Sequence, residues 1–103
     1  MSEMTVDDIK LLVLEADPEA KHYWHTKSGN YTVWAEYELG SFYGDNRAHG
    51  WRFTVKRVTN GEDDPVPRQI QSVLDAHMIP YLYQVEVDEE ARTVTHLFDC
   101  EAS

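Results

Sequence analysis

The sequence has few cysteines, few basic residues and no long apolar run. Its 103 residues include a single cysteine, Cys100, which cannot form an intramolecular disulfide. Nine lysines and arginines stand against nineteen aspartates and glutamates, for a formal charge of -10. This balance argues against nucleic-acid binding, because that affinity comes largely from basic groups that displace counterions. With no recognisable signal peptide and no apolar run near the ~20 residues of a membrane span, we expect an intracellular protein that contacts no membrane.

The composition predicts one ordered domain across residues 1–103. Hydrophobic residues make up 42% of the chain and aromatic residues 12%. That content is typical of a globular protein rather than a disordered segment. A chain of this length falls near the common size of a single domain, which leaves little room for a second core.

Two stretches have the apolar spacing of helices. In the first, Thr5 can act as N-cap with Asp8 completing a capping box, and Asp17 before Pro18 ends the helix. Its apolar face comprises Ile9, Leu12, Val13 and Ala16. In the second, Asp64 is the expected N-cap and Pro65 the first helical residue. Its predicted inward stripe comprises Val66, Ile70, Val73, Leu74 and His77.

The remaining segments predict four or five strands in two groups. Residues 21–26, 31–39 and 51–56 form one group, and a hairpin of residues 81–87 and 92–101 forms the other. Residues 31–39 alternate, with Tyr31, Val33, Ala35, Tyr37 and Leu39 on one face and Trp34 among polar residues on the other. Such alternation is typical of an antiparallel sheet with one covered face. The order α-β-β-β-α-β-β therefore predicts an α+β fold, a mainly antiparallel sheet packed with two helices.

The residues that could carry chemistry do not form a recognisable catalytic or metal-binding motif. His22 and His25 lie three apart on a predicted strand, so they point to opposite faces, and the compact Cys/His spacing of zinc sites is absent. Cys100 is expected to be a small apolar residue packed in the core. The five glycines do not approach a phosphate-binding pattern. We therefore expect no enzyme activity, no metal and no cofactor.

Several polar and aromatic residues are instead candidates for a partner contact. Trp34 on a polar face, and Phe42 and Tyr43 at the start of a long polar loop, are not obviously needed by a core. Tyrosine and tryptophan favour interface cores, although local packing explains these residues as well. The predicted interface comprises Trp34, Phe42, Tyr43, Asp45, Asn46, Arg47 and His49. Arg47, Arg52, Lys56 and Arg57 are either a local basic strip or the solvated face of a strand.

Stretches spread over nearly the whole chain also carry a family resemblance. They are MTVDDIKLL at 4–12, YTVWAEY at 31–37, FYGDN at 42–46 before the strand at 51–59, the helix at 64–79 with Pro80 and Tyr81, and the closing strand at 94–101. Together they resemble the small tail-component proteins of long-tailed phages and prophages, in the tail-terminator (head–tail joining) group. One departure is Ser28, Gly29 and Asn30, where such proteins often carry prolines.

The resemblance implies a virion structural protein without catalytic residues. It implies a ring, typically of six copies, that sits on the end of the tail tube and offers a surface to the head connector. DNA would be only passing cargo in an acidic channel, and the protein would occur in the virion and in the host cytoplasm during assembly. Residues 41–50 would be assembly surface, loose in the monomer and ordered in the ring. The alternative is a small acidic intracellular binding module, of the inhibitor or immunity type, for a basic protein partner.

Overall fold

Two helices and five strands follow one another in the predicted order, which confirms the α+β fold. The computed structural model describes residues 4–24, 29–39, 50–61 and 63–102. The helices are α1 (Val6–Ala16) and α2 (Val66–Ala76). The strands are β1 (Lys21–His22), β2 (Tyr31–Leu39), β3 (Gly50–Thr59), β4 (Tyr81–Asp88) and β5 (Thr93–Ala102).

The strands form one sheet in the order β1-β2-β3-β5-β4. The two-residue strand β1 runs parallel to β2, and every other neighbouring pair is antiparallel. The helices cover one face, and their apolar stripes pack on residues of β2, β3 and β5. Strand β4 lies at one edge of the sheet, and β1 with the outer part of β2 lies at the other.

Helix α1 begins and ends where the sequence predicts. The Oγ1 of Thr5 accepts a hydrogen bond from the backbone N–H of Asp8 at 3.1 Å, and the Asp8 carboxylate accepts from the backbone N–H of Thr5 at 2.8 Å. This capping box satisfies donors that a helix start leaves without intrahelical partners. Asp17 follows in an extended conformation as C-cap. The predicted apolar face is buried: Ile9, Leu12, Val13 and Ala16.

Helix α2 begins one residue later than predicted. The backbone assigns Pro65 as its N-cap. The Asp64 carboxylate still accepts a hydrogen bond from the backbone N–H of Val66 at 3.3 Å, in addition to those from the guanidinium of Arg57. Ile70 and Leu74 are buried as predicted. The prediction for His77 is wrong: it is the exposed C-cap residue, and its Nε2 lies 3.2 Å from Oε1 of Glu15.

The face of β2 that the helices cover is not the predicted one. Residues directly opposite one another in neighbouring strands share a face, and Trp34 lies opposite Val55, which lies opposite Phe98. All three belong to the core, where Trp34 is only 2% exposed. Its assignment to an exposed polar face is therefore wrong. The physical reason is that the neighbours of Trp34 on this face, Thr32 and Glu36, have hydrogen-bond partners there.

Arg57 is buried on the same face, so it does not belong to a solvated basic strip. Its Nε and Nη2 donate to the two carboxylate oxygens of Asp64 at 2.7 and 3.2 Å. Its Nη1 donates to Oγ1 of Thr32 at 3.2 Å and lies 3.6 Å from the carboxylate of Asp17. One guanidinium thereby joins the end of α1, the start of α2 and two strands. Arg52 and Lys56 are exposed on the opposite face, as expected of a solvated strand.

Candidate interaction surface

Of the seven residues of the predicted interface, the structure describes only Trp34. Trp34 lies in the core, so in this fold it offers no surface to a partner. The other predicted residues lie outside the described part of the chain: Phe42, Tyr43, Asp45, Asn46, Arg47 and His49. Their role in assembly stays a prediction.

Exposed large hydrophobic side chains instead concentrate at the two opposite edges of the sheet. Nine such residues occur in the described part of the chain. Four lie on β4 and form what we call the β4 patch: Leu82, Tyr83, Val85 and Val87. Three lie beside β1 and on β2 and form the β1 patch: Tyr23, Trp24 and Tyr37. Sheet edges with this much apolar surface are typical of contacts with another chain.

The β4 patch is anchored to the core at one position and open to solvent at the others. The ring of Tyr83 stacks on Phe98 with centroids 4.8 Å apart, and its hydroxyl lies 2.6 Å from Nδ1 of His96. Partial burial lowers the pKa of His96, which favours the neutral ring that can accept this bond. Leu82 and Val87 are 64% and 68% exposed. The patch therefore combines one ring held by its neighbours with apolar side chains that face solvent.

Acidic residues gather where β4 turns into β5. Glu86 and Asp88 lie on the strand, and Glu89 and Glu90 lie in the turn that follows. The Asp88 carboxylate accepts hydrogen bonds from the backbone N–H groups of Glu90 and Ala91, both at 3.1 Å. One end of β4 is thus strongly acidic, whereas residues 81–85 carry no charge.

The β1 patch is built around a stack of aromatic rings and one carboxylate. The His22 ring lies between those of Tyr23 and Trp34, with centroids at 3.8 and 4.0 Å. The hydroxyl of Tyr23 donates to Oε1 of Glu36 at 2.6 Å, and Nε2 of His22 lies 2.5 Å from Oε2. Burial by itself would raise the pKa of Glu36, but the bonds from Tyr23 and His22 outweigh it and hold that pKa below its ordinary value. The next residue, Trp24, is 80% exposed.

Tyr23 has a backbone conformation that aromatic residues rarely adopt. Its φ is 65°, in the left-handed region. Its backbone N–H donates to the carbonyl of Trp34 at 2.7 Å, and its side chain is held by Glu36. Such conformations persist where the surroundings over-determine them and occur often at binding sites. Tyr23 and Trp24, which directly follow β1, are 49% and 80% exposed.

The cysteine thiol and the potential metal ligands were the groups considered for chemistry. Cys100 is fully buried, and burial raises its pKa to about 12, so the thiol is protonated at neutral pH. Within the described residues, no group of three His, Cys, Asp or Glu side chains is placed to hold a metal ion. Within the same residues, neither helix is long and apolar enough to cross a membrane.

Sequence reasoning missed both patches. The strand Tyr81–Asp88 was predicted as part of a hairpin, but its apolar residues fall on both parities, Leu82 as well as Tyr83 and Val85. Apolar residues on both faces of the strand indicate that one covered face of the sheet cannot bury all of them. Tyr37 was predicted on the covered face, and it is 56% exposed because β2 turns its other face to the helices.

Among known proteins, the likeness found is one of structure. No protein-family model and no curated protein matches the chain. A chain from a solved structure described as the virion of a native gene transfer agent (GTA) particle superposes with a TM-score of 0.53. The two chains are 11% identical over 89% of this chain and 82% of that one. At this identity, the likeness shows that the two chains share a fold.

Proposed function

We propose that this chain is a phage or prophage virion structural protein, a tail terminator or head–tail joining component that forms a ring on the end of the tail tube. The observation that carries the proposal is the position of the β4 and β1 patches on opposite edges of one sheet. A closed ring repeats one heterologous contact, which needs two different surfaces on opposite sides of each copy. The expected ring has six copies.

Two further observations support the proposal. The fold is shared with a chain from the virion of a native gene transfer agent particle. The formal charge of -10 suits a protein around a DNA channel, because an acidic lining repels phosphates and lets DNA pass without sticking. The partners would be further copies of the chain, the tail tube and the head connector, with DNA as passing cargo.

The proposal is tested by assembly and by binding to tails. Native mass spectrometry over a wide concentration range should show a discrete ring, or electron microscopy should show the protein at the ends of purified tail tubes. A matched preparation of tubes already closed by their own terminator should bind none. A protein that stays monomeric and does not bind open tube ends contradicts the proposal.

One observation favours a second candidate, an acidic binding module for a basic protein. The end of the β4–β5 hairpin gathers Glu86, Asp88, Glu89 and Glu90 in a short stretch, and such charge speeds association with a basic partner. This candidate predicts a one-to-one complex that weakens steeply with salt. A gene neighbour encoding a basic toxin would favour it, whereas neighbouring phage structural genes favour the ring.

A further inference from the structure

The main chain of β4 offers a row of hydrogen-bonding groups on its outer side. The backbone N–H of Glu101 donates to the carbonyl of Pro80 at 3.1 Å, so this pair is hydrogen-bonded. Bonded and non-bonded pairs alternate along an antiparallel ladder, and the β4–β5 register continues without interruption from Tyr81 opposite Cys100. The N–H and C=O groups that point away from β5 are therefore those of Tyr81, Tyr83, Val85 and Val87. In the described part of the chain, no strand pairs with them.

Apart from the charges of Glu86 and Asp88 near its end, strand β4 also lacks the usual features that keep a sheet edge from pairing. Proteins protect such edges with proline, lysine, bulges or short strands. The eight residues Tyr81–Asp88 contain no proline or lysine, and their register with β5 shows no bulge. An edge of this length with exposed apolar side chains is suited to the addition of a further strand.

The opposite edge of the same sheet is complementary to β4 in direction and in charge. Strands β1 and β2 run antiparallel to β4 when the pairings are followed across the sheet, so a second copy in the same orientation would present an antiparallel edge. Through the registers, Lys21 is level with Val33, and Val33 is level with Gln84. A neighbour that continues the sheet without a shift therefore places its Lys21 opposite Gln84.

This placement brings opposite charges together on one face. Glu86 lies two residues beyond Gln84 and therefore on the same face as Lys21 of the neighbouring copy. Diagonal neighbours of this kind are within reach of long side chains. On the same face, Leu82 is level with Ala35 of the neighbour, and the exposed ring of Tyr37 lies two residues further. One register thus places opposite charges, and exposed apolar residues of both edges, level with one another on one face.

We infer that successive copies join by adding the β1–β2 edge of one copy to β4 of the next, with Lys21 of one copy facing Glu86 of the other. The occupant of the β4 edge is thus a second copy of this chain. The inference rests on the proposed ring and specifies its interface: the sheet continues from copy to copy through main-chain hydrogen bonds. Both copies carry a negative net charge, but repulsion at this contact is small because the uncharged half of β4 and the lysine of β1 meet there.

A charge-reversal series tests the ion pair. Lys21→Glu and Glu86→Lys should each raise the concentration at which half of the protein is assembled by about tenfold or more, because each places like charges together. The double variant should return towards the wild-type value. Lys10→Glu on the exposed surface of α1 and Glu89→Lys in the hairpin turn make the same changes of charge elsewhere, and both should assemble like the wild type.

A second series tests the main-chain bonds. Val85→Pro removes an outward N–H but leaves the pairing with β5, so it should fold and fail to assemble. Val85→Thr keeps that N–H and is the matched control, which should still assemble. Hydrogen exchange should show the amides of Tyr83 and Val85 protected only in the assembled protein. Circular dichroism of each variant confirms that the fold is present.

The outcomes separate this interface from the proposed function. If the wild type forms rings and Val85→Pro or the single charge reversals form them equally well, the interface is wrong and the ring stands. A dimer cross-linked between two Val85→Cys copies would show β4 pairing with β4 and would also overturn the interface. If the wild type assembles neither in solution nor on tails, the proposed function fails and the interface fails with it.

Discussion

Arg57 binds Asp64 through two parallel hydrogen bonds in the interior of the protein. The Nε–Oδ2 and Nη2–Oδ1 distances are 2.7 and 3.2 Å, and the side chains are only 11% and 7% exposed. Bidentate pairs of this kind combine strength with a defined geometry. Asp64 lies two residues before α2, and its carboxylate also accepts from the backbone N–H of Val66 at 3.3 Å, so the pair ties the start of that helix to β3.

Removing the guanidinium should destabilise the protein strongly. Arg57→Met would leave Asp64 and Asp17 buried without their cation, and breaking a buried pair in this way costs about 3–5 kcal/mol of unfolding free energy. Arg52→Met is the control, because Arg52 pairs with Asp99 at the surface and such pairs contribute about 1 kcal/mol or less. Urea denaturation measures both. Equal losses in the two variants would show that the buried network does not stabilise the fold.

Trp34 and Trp24 should respond in opposite ways to truncation. Trp34→Ala would empty a site in the core and should cost about 3–5 kcal/mol of unfolding free energy. Trp24 is 80% exposed, so Trp24→Ala should change stability by less than about 0.5 kcal/mol while weakening assembly. Thermal unfolding and native mass spectrometry of the two variants check this. A stable Trp34→Ala protein would contradict the position of that ring in the core.

The bonds to Glu36 should make stability depend on pH. Its pKa is held below the ordinary value of 4.5, so the folded protein binds a proton there less readily than the unfolded chain. The charged Glu36 therefore stabilises the folded protein. This stabilisation is complete above the ordinary pKa and is lost as the pH falls through the lower pKa of the folded state. The free energy of unfolding, measured with urea from pH 7 to pH 3, should therefore decrease less steeply at the acidic end for Glu36→Gln than for the wild type.

The control for this pH dependence is Glu89→Gln in the exposed hairpin turn, which removes a carboxylate without bonds from Tyr23 or His22. Its stability should follow the wild-type curve. If Glu36→Gln also followed that curve, the hydrogen bonds around Glu36 would not favour its charged form.

Cys100 should be inert in the folded protein. The thiol is fully buried with its pKa raised to about 12, and the thiolate is the reactive form. A disulfide reagent at pH 8 should react no faster than the protein unfolds, and it should react completely in urea. Rapid reaction of the native protein, compared with a small free thiol as reference, would contradict the burial of this side chain.

The helices and the element order were predictable because they depend on neighbouring residues. The capping box of Thr5 and Asp8 and the stripe from Ile9 to Ala16 are local patterns, and the structure confirms both. Strand faces were harder. In β2 the more apolar face was expected under the helices, but the helices cover the face of Trp34 instead. On the other face Val33 is buried, whereas Tyr37 is 56% exposed.

The reason is that alternation along one strand shows that two faces differ without showing which one is covered. Thr32 and Glu36 could enter the covered face because distant residues, Arg57, Tyr23 and His22, supply their hydrogen bonds. The chain alone therefore sufficed for the α+β class, the first helix and the acidic surface, which follow from local spacing and composition. The buried Arg57 network and the apolar patches at opposite sheet edges depend on strand order and register, which bring together residues far apart in the chain.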